Sequence, residues 1–557
     1  MTAGRQAGRA VSRRSFVKAA GAGAAALALG SIAGCAGSDG EGQQDAASSP
    51  AAVGDGASSQ VVVSMTVSSE PAAGFDPLRS WGCGEHVHEP LIQSTLITTD
   101  ANLAFQNDLA RSYECSEDGM TWTFVIRDDV RFTDGEPLTA SDVAFTINGI
   151  VNAEASEADL SMVREAVALD DTTVEIRMAK PFNALLYTLA VVGIVPEHAY
   201  GEDYGAHPVG SGRYVLEQWD RGQQAILRAN PDYYGEAPLM ERVVVVFMEE
   251  DASLAAAQSG QVDVAYTAAS LAASAPAGYD LLNCASVDSR GISLPAVEPG
   301  GVKEEAGVSY PAGNAVTSDV AVRRALNYGI DRQALVDAVL YGYGTVAYSV
   351  SDGTPWASDD MHCAYDFDAA CALLDEAGWE QGADGVREKD GQRAAFDLWY
   401  PSSDSVRQAM AAEFSNQAQR LGIEVSVRGG SWDEVYARQY ADPVVWGWGN
   451  NSPIEVYNLN YSQGVGNYAG YENATTDAHF DEALAQPRVE DSYEYWKLAQ
   501  WDGSEGFAPQ GAATWVWIAN IDHLYFCRSG LDVADQKPHP HGHGWSLVNN
   551  VDRWSWA

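Results

Sequence analysis

A chain of 557 residues with a formal charge of −44 repels phosphate backbones and anionic headgroups, which excludes nucleic acid as a partner and membrane contact through a basic face. Its apolar content of 46% supports large cores, and its length points to two or more domains. The acidic field favours a cationic solute or a metal only weakly, since salt screens it beyond ~10 Å.

At the N-terminus, Ser12-Arg13-Arg14-Ser15-Phe16-Val17-Lys18 precedes an apolar run from Ala19 to Gly30 and then Ile32-Ala33-Gly34-Cys35. Paired arginines ahead of a modest apolar segment read as a twin-arginine export signal, and a small-residue site ending in cysteine reads as lipoprotein processing. The run is about half of the ~20 residues that cross a bilayer, so it addresses the chain without spanning. A disordered basic tail would explain the arginines but not a cysteine directly after Ile-Ala-Gly. We therefore expect a signal peptide over 1–34 and a mature protein beginning at Cys35, the lipid attachment site. Removal of 1–34 takes away five basic residues and no acidic ones, changing the charge from −44 to −49. Residues 35–60, dominated by Ala, Gly, Ser and Asp, bury too little surface to offset ordering and form a flexible stalk. The expected location is extracytoplasmic, either lipid-anchored to the outer face of the cytoplasmic membrane or periplasmic, with lipid as the only membrane attachment.

Six cysteines remain (Cys83, Cys115, Cys284, Cys363, Cys371, Cys527) in a compartment that permits disulfides, and six allow fifteen pairings. Further along, Trp122, Phe124 and Ile126 alternate with Thr121, Thr123 and Val125 before Asp128-Asp129, and Val130 and Phe132 then resume. This predicts a strand pair around a tight turn. Val243 to Phe247 is a continuous apolar run suited to a strand covered on both faces. Helical spacing at Val322, Ala325, Leu326 and Gly329 predicts a helix capped by Thr317 or Ser318. Another runs from Asp368 through Leu374 to Gly378, a residue that tolerates a left-handed helix end. Strands alternating with amphipathic helices argue for α/β lobes.

No His-Glu-x-x-His, Gly-x-Ser-x-Gly or Gly-x-x-x-x-Gly-Lys-Ser/Thr pattern occurs, so zinc proteolysis, an esterase-type nucleophile and nucleotide hydrolysis lack their usual signatures. An exported hydrolase using paired acids is a second class of reading, although nothing marks one pair out of 77 carboxylates.

Several blocks in order resemble the peptide/nickel type of solute-binding proteins that feed ABC importers. They are Asp76-Pro77-Leu78 with Leu91-Ile92-Gln93-Ser94-Thr95-Leu96; Asp118 to Phe124; Val130 to Gly135; Leu138 to Val143; Pro208 to Tyr214; Asn230 to Tyr234; Gly260-Gln261-Val262-Asp263; Val322 to Arg332; and Leu373 to Trp379. The resemblance implies a two-lobed periplasmic-binding-protein-like α/β fold, class II and of the large peptide/nickel type. A hinge and an interlobe cleft would let the lobes close on a small solute and then dock on permease and ATPase subunits. It further implies lobe 1 over 61–310, lobe 2 over 311–500 and a return to lobe 1 over 501–557. A buried cleft favours binding because closure removes water from the ligand, and no catalysis is implied.

Two features bear on the solute. In Trp446-Gly447-Trp448-Gly449-Asn450-Asn451-Ser452-Pro453, peptide-binding members typically carry an aspartate that pairs with the ligand's ammonium; here asparagines replace it, and an amide does not offset a buried ammonium. Trp446, Trp448, Asn450 and Asn451 are candidate cleft walls, with core packing as the alternative for the tryptophans. Secondly, His86 with His88 and His541 with His543 are two apart, so each pair faces one side of an extended segment. Neutral imidazole suits nickel, copper or zinc. His539 to Trp545, Trp496 to Gly503 and Trp515 to His523 resemble the nickel-binding branch, which holds nickel as a complex with small chelators such as free histidine. His86, His88, His541 and His543 are therefore candidate metal contacts, with Cys83, Glu85 and Glu89 beside the first pair. The alternative is a surface loop that binds metal adventitiously. The reading is a binding protein for a nickel or other transition-metal chelate, with an oligopeptide or dipeptide receptor as its alternative in the same fold.

Overall fold

The computed structural model describes residues 59–80, 89–153, 156, 158, 160–305, 308–449, 452–537 and 546–557. Two large sheets organise them. Their strands in chain order are β1 (Gln60–Met65), β2 (Tyr214–Asp220), β3 (Gln224–Ala229), β4 (Arg242–Phe247), β5 (Val264–Thr267), β6 (Tyr279–Cys284), β7 (Ser289–Ser293), β8 (Gly344–Val346), β9 (Ala395–Pro401), β10 (Glu424–Gly430), β11 (Val444–Trp448), β12 (Trp515–Ile521) and β13 (His523–Arg528). The first sheet has seven strands in the order β6-β13-β5-β1-β4-β3-β2, and the second has six in the order β8-β12-β7-β11-β9-β10.

In the first sheet β4 runs parallel to β1 and antiparallel to β3. Val243, Val244 and Val245 are all buried, as an unbroken apolar run in a doubly covered strand requires. In the second sheet, Ile292, Val445, Val516 and Ile518 pack under the helices Val320–Gly329, Phe367–Glu376 and Ser405–Arg420. The other face carries Trp446, Trp448, Trp515 and Trp517, which belong to a separate core.

Both expected helices form, but the first is capped by Asp319 rather than by Thr317 or Ser318. Asp319 accepts from Ala321 N, while the Thr317 hydroxyl is buried and donates to Pro295 O at 2.7 Å. The second ends at Glu376, and Gly378 has a φ of +87°.

The strand over Thr121–Ile126 forms, yet its expected pairing with Val130 and Phe132 does not. Its partners are Ala110–Cys115 and Thr173–Met178. Val130 and Phe132 are buried, and the only pairing described around them is the isolated bridge between Arg131 and Pro137. Alternation reported burial correctly but not the partner, which is a long-range choice. These strands belong to a four-stranded sheet backed by the helix Ala140–Asn152. This unit reaches the second lobe, where Asn183 Nδ2 donates to Ala483 O at 2.9 Å and Tyr187 meets Trp356 edge-on at 5.9 Å.

The chain passes from the first sheet to the second between Cys284 and Ser289 and returns between Ile521 and His523. The first passage precedes the expected limit at 310, and the second follows the expected limit at 501. Among the described residues no helix is long and apolar enough to cross a membrane, and Cys115, Cys284, Cys363, Cys371 and Cys527 are free thiols. Register explains one such pair: Cys284 lies opposite His523 while Cys527 lies opposite Asp280. Four residues of offset, about 13 Å along a strand, exceed the reach of a disulfide.

Candidate functional site

The two passages between the sheets lie side by side and are bonded to each other. Ser286 Oγ donates to Ile521 O at 2.6 Å, Ile521 N to Asp288 O at 3.1 Å, and Ser289 Oγ to Asn520 Oδ1 at 2.7 Å. At their centre the Asp288 carboxylate accepts from both terminal nitrogens of Arg290, with Nη2 at 3.0 Å, and lies 3.2 Å from His523 Nε2. Arg290 belongs to β7 of the second sheet and His523 to β13 of the first, so one carboxylate is shared between lobes. Asp288 and His523 are each 1% exposed. Burial pushes the Asp288 carboxyl upward, but Arg290 and His523 outweigh it and hold it well below the ordinary range.

Arg290 sits directly across from Gly447 of β11. A Cβ at Gly447 would collide with Arg407 Nη2 and lie 2.6 Å from Arg290 Nη1, so glycine is what lets two guanidiniums lie over one strand. Arg407 comes from the first turn of the helix Ser405–Arg420. Its ion-pair partner Asp404 is that helix's N-cap and also accepts from Arg407 N at 2.8 Å. Burial raises the Asp404 carboxyl, yet Arg407 and Arg290 outweigh it and leave it below its usual value. From the first lobe, Tyr266 of β5 faces this group. Its phenol is raised far above the ordinary value by burial and then by Glu250 and Asp404, with Asp288 adding to the shift. Glu250, which accepts from Ala268 N at 3.1 Å, is itself raised mainly by burial. The group thus has Glu250 and Tyr266 on one lobe, Arg290, Asp404 and Arg407 on the other, and Asp288 in the passage between them. It lies where β9 and β11 end, the usual ligand edge of an α/β sheet.

On the opposite face of β11, Trp446 stacks on Tyr468 with centroids 4.5 Å apart and donates through Nε1 to Ser293 Oγ at 3.1 Å. Trp448 lies 6.2 Å from the same tyrosine, and Trp515 and Trp517 stack at 4.7 Å. Trp446 is 2% and Trp448 3% exposed, so both are held rigidly, beside the segment that carries Asn450 and Asn451. The cationic group and the aromatic face meet at Trp432, which lies 6.2 Å from Trp446 and under Arg407 at 5.6 Å.

Cys35, His86, His88, Asn450, Asn451, His541 and His543 lie outside the described residues. Of the described histidines, His198 bonds Asp134 at 2.8 Å, His362 stacks on Tyr348 at 4.5 Å, His479 lies 3.5 Å from Asp502, and His523 joins the hinge. Among the described residues no three metal-ligating side chains converge. Glu89, adjoining the first histidine pair, forms an ion pair with Lys537, which also donates to Thr98 Oγ1 at 3.2 Å. Sequence reasoning missed Asp288, Arg290, Asp404 and Arg407. The available signal was Arg290 itself, a charge inside a strand whose other residues are small or apolar.

Residues 104–470 match the model of the bacterial extracellular solute-binding proteins, family 5 Middle. The chain belongs to this family. Protein XP55 of Streptomyces lividans is 34% identical over 485 residues, covering 83% of this chain and 84% of that protein. The fold is that of NikZ from Campylobacter jejuni in complex with Ni(L-His), at a TM-score of 0.72 and 23% identity over 89% of this chain and 99% of the other. It is equally that of the oligopeptide-binding protein AppA from Bacillus subtilis in complex with a nonapeptide, at 0.68 and 22% over 90% and 99%. Family 5 proteins are non-catalytic receptors. This one is the solute-binding component of an ABC importer, which gives it a small solute and permease and ATPase subunits as partners.

Proposed function

We propose that this family 5 protein captures a nickel or other transition-metal chelate outside the cytoplasm, tethered by lipid on Cys35 after twin-arginine export. The observation that carries the metal reading is the Glu89–Lys537 ion pair. Glu89 adjoins His88, and Lys537 stands two residues before His539. That pair ties together residues 89 and 537, the described positions next to the two histidine segments in the sequence. Neutral imidazole is a good ligand for nickel, copper and zinc. We assign Trp446, Trp448, Asn450 and Asn451 to the wall of the solute cleft, where asparagines stand at the place of the aspartate that pairs with a peptide ammonium. Cargo binds and leaves without bond breaking, as lobe closure replaces water around it.

The competing reading, an oligopeptide or dipeptide receptor, is favoured by the likeness to nonapeptide-bound AppA. Titration of metal-stripped protein with nickel alone, with nickel plus free histidine, and with a mixed peptide library separates the two. We expect the nickel–histidine mixture to bind, and H541A with H543A to weaken it at least tenfold with the fold intact. Unchanged affinity removes that pair from the site, and peptide capture without nickel binding replaces the metal reading. C35A is expected to move the protein from the membrane fraction to the soluble fraction.

A further inference from the structure

We propose that Asn183 and Tyr187 form a latch between the lobes, away from the hinge, in which Asn183 is a positioning residue that sets how long a solute stays enclosed. The observation is where Asn183 directs its donors. Its Nδ2 donates to Ala483 O at 2.9 Å and to Arg488 O at 3.4 Å, and its backbone N donates to Leu484 O at 3.4 Å. Ala483 and Leu484 lie in the last turn of the helix Ala474–Ala485, and the final carbonyls of a helix have no partner within it. The chain next to that helix serves two of them: Gln486 Nε2 reaches Glu482 O at 3.0 Å and Gln486 N reaches Ala483 O at 3.3 Å. Two other helices of this lobe, Ser405–Arg420 and Val489–Gln500, carry a cation in their last turn to meet the negative end, and this one carries none. One lobe thus caps a helix of the other.

That use is not the local one. An asparagine just ahead of a helix ordinarily accepts from the first amides of that helix, and Leu185–Leu189 begins two residues on. Its N-cap, Ala184, provides no side-chain bond, and Asn183 Oδ1 is buried with no donor on it among the described residues. The amide has turned its donor end to the second lobe and left its acceptor unfilled, a local loss that the contact between lobes offsets. Asn183 is 2% exposed, and Phe182, Leu185 and Leu484 belong to the same core around it, a dry setting that strengthens each bond. One turn along, Tyr187 reaches the same lobe. Its ring meets Trp356, itself 1% exposed, edge-on, and its hydroxyl bonds that of Tyr493. Opening would hand the carbonyls, the amide and both hydroxyls to water, which satisfies them, so the latch is reversible. It would also wet the face of Trp356 that Tyr187 covers, which biases the pair towards closure.

The latch rests on solute binding between the lobes and acts on whichever solute is enclosed, by raising the population of the closed arrangement. The test combines small-angle scattering of the solute-free protein with association and release rates for two probes, nickel with L-histidine and a labelled mixed peptide library. N183D keeps the shape of the side chain, loses both of its donors and points a carboxylate at carbonyl oxygens. It is expected to enlarge the solute-free radius of gyration and to speed release of the bound probe about tenfold, with association within about twofold. Saturating probe should return the radius to the native value. Y187F, which keeps the ring and loses the bond to Tyr493, should speed release about threefold. If N183D fails to fold, N183A should show the same changes at about threefold to fivefold. Native release and a native solute-free radius in the folded variants overturn the latch. Slowed association with unchanged release also overturns it, since Asn183 then serves only the fold. Binding of neither probe defeats the reading of the solute instead, and the solute-free radius alone then decides the latch.

Discussion

Gly447 is the residue at which chemistry and geometry meet most tightly, because the space its missing side chain leaves is occupied by two guanidiniums. G447A should push at least one arginine out of place, destabilising the protein by about 1–3 kcal/mol as read by denaturant unfolding. Asp288 offers a second test. Its carboxyl is held well below the ordinary range in the folded protein, against about 3.9 when unfolded. Its contribution is therefore fully present above about pH 4 and lost as pH falls through the folded value. D288N, which strips a buried pair of one partner, should cost about 3–5 kcal/mol at neutral pH. The gap to native protein should close as the pH is taken below about 4. A gap that stays constant to pH 2 would show that Asp288 is not a charged partner of Arg290 and His523.

At the scale of strands, β7, β11 and β12 work as one unit with two unlike faces. Gly291 of β7 admits the Trp517 ring, since a Cβ there would lie 2.5 Å from Cε3, and Trp515 backs that ring at 4.7 Å. The indole has nowhere to retreat, so G291A should cost about 1–3 kcal/mol in unfolding measurements. Trp446, stacked on Tyr468 and bonded to Ser293, should cost about 3–5 kcal/mol when truncated to alanine. Element type was legible from the chain at this scale. The apolar run Val243–Phe247 and the alternation over Thr121–Ile126 correctly announced strands, and Gly378 announced a helix end. Partners were not legible, because period reports which side of a segment is apolar, whereas pairing depends on segments far away. The cap at Asp319 shows the same division: Thr317 had the right chemistry, but Pro295 O claimed its hydroxyl.

For the whole molecule, two short passages carry every covalent link between the large sheets, and their mutual bonds make them one hinge. A solute that contacts both lobes stabilises the closed arrangement through its differential affinity for it. At a hundredfold excess over Kd that linkage is worth about 2.7 kcal/mol. Saturating solute should therefore raise the unfolding midpoint and reduce the radius of gyration in small-angle scattering. A raised midpoint at constant radius would place binding within a single lobe.

By itself the sequence determined the family, through blocks spread in order along the chain, and the α/β make-up of the lobes, through periodicities that a few neighbouring residues create. It also singled out the Trp446–Ser452 stretch, whose residue types stand together. The tertiary structure alone decided that Asp288, Arg290, Asp404, Arg407 and His523 form one buried group. Spacing relates Asp288 to Arg290 and Asp404 to Arg407, but it joins neither pair to the other or to His523, and each looks like an ordinary charged residue until folding removes water from it. Hydrophobic pattern is a local property of the chain, whereas the meaning of a charge is set by what is packed around it.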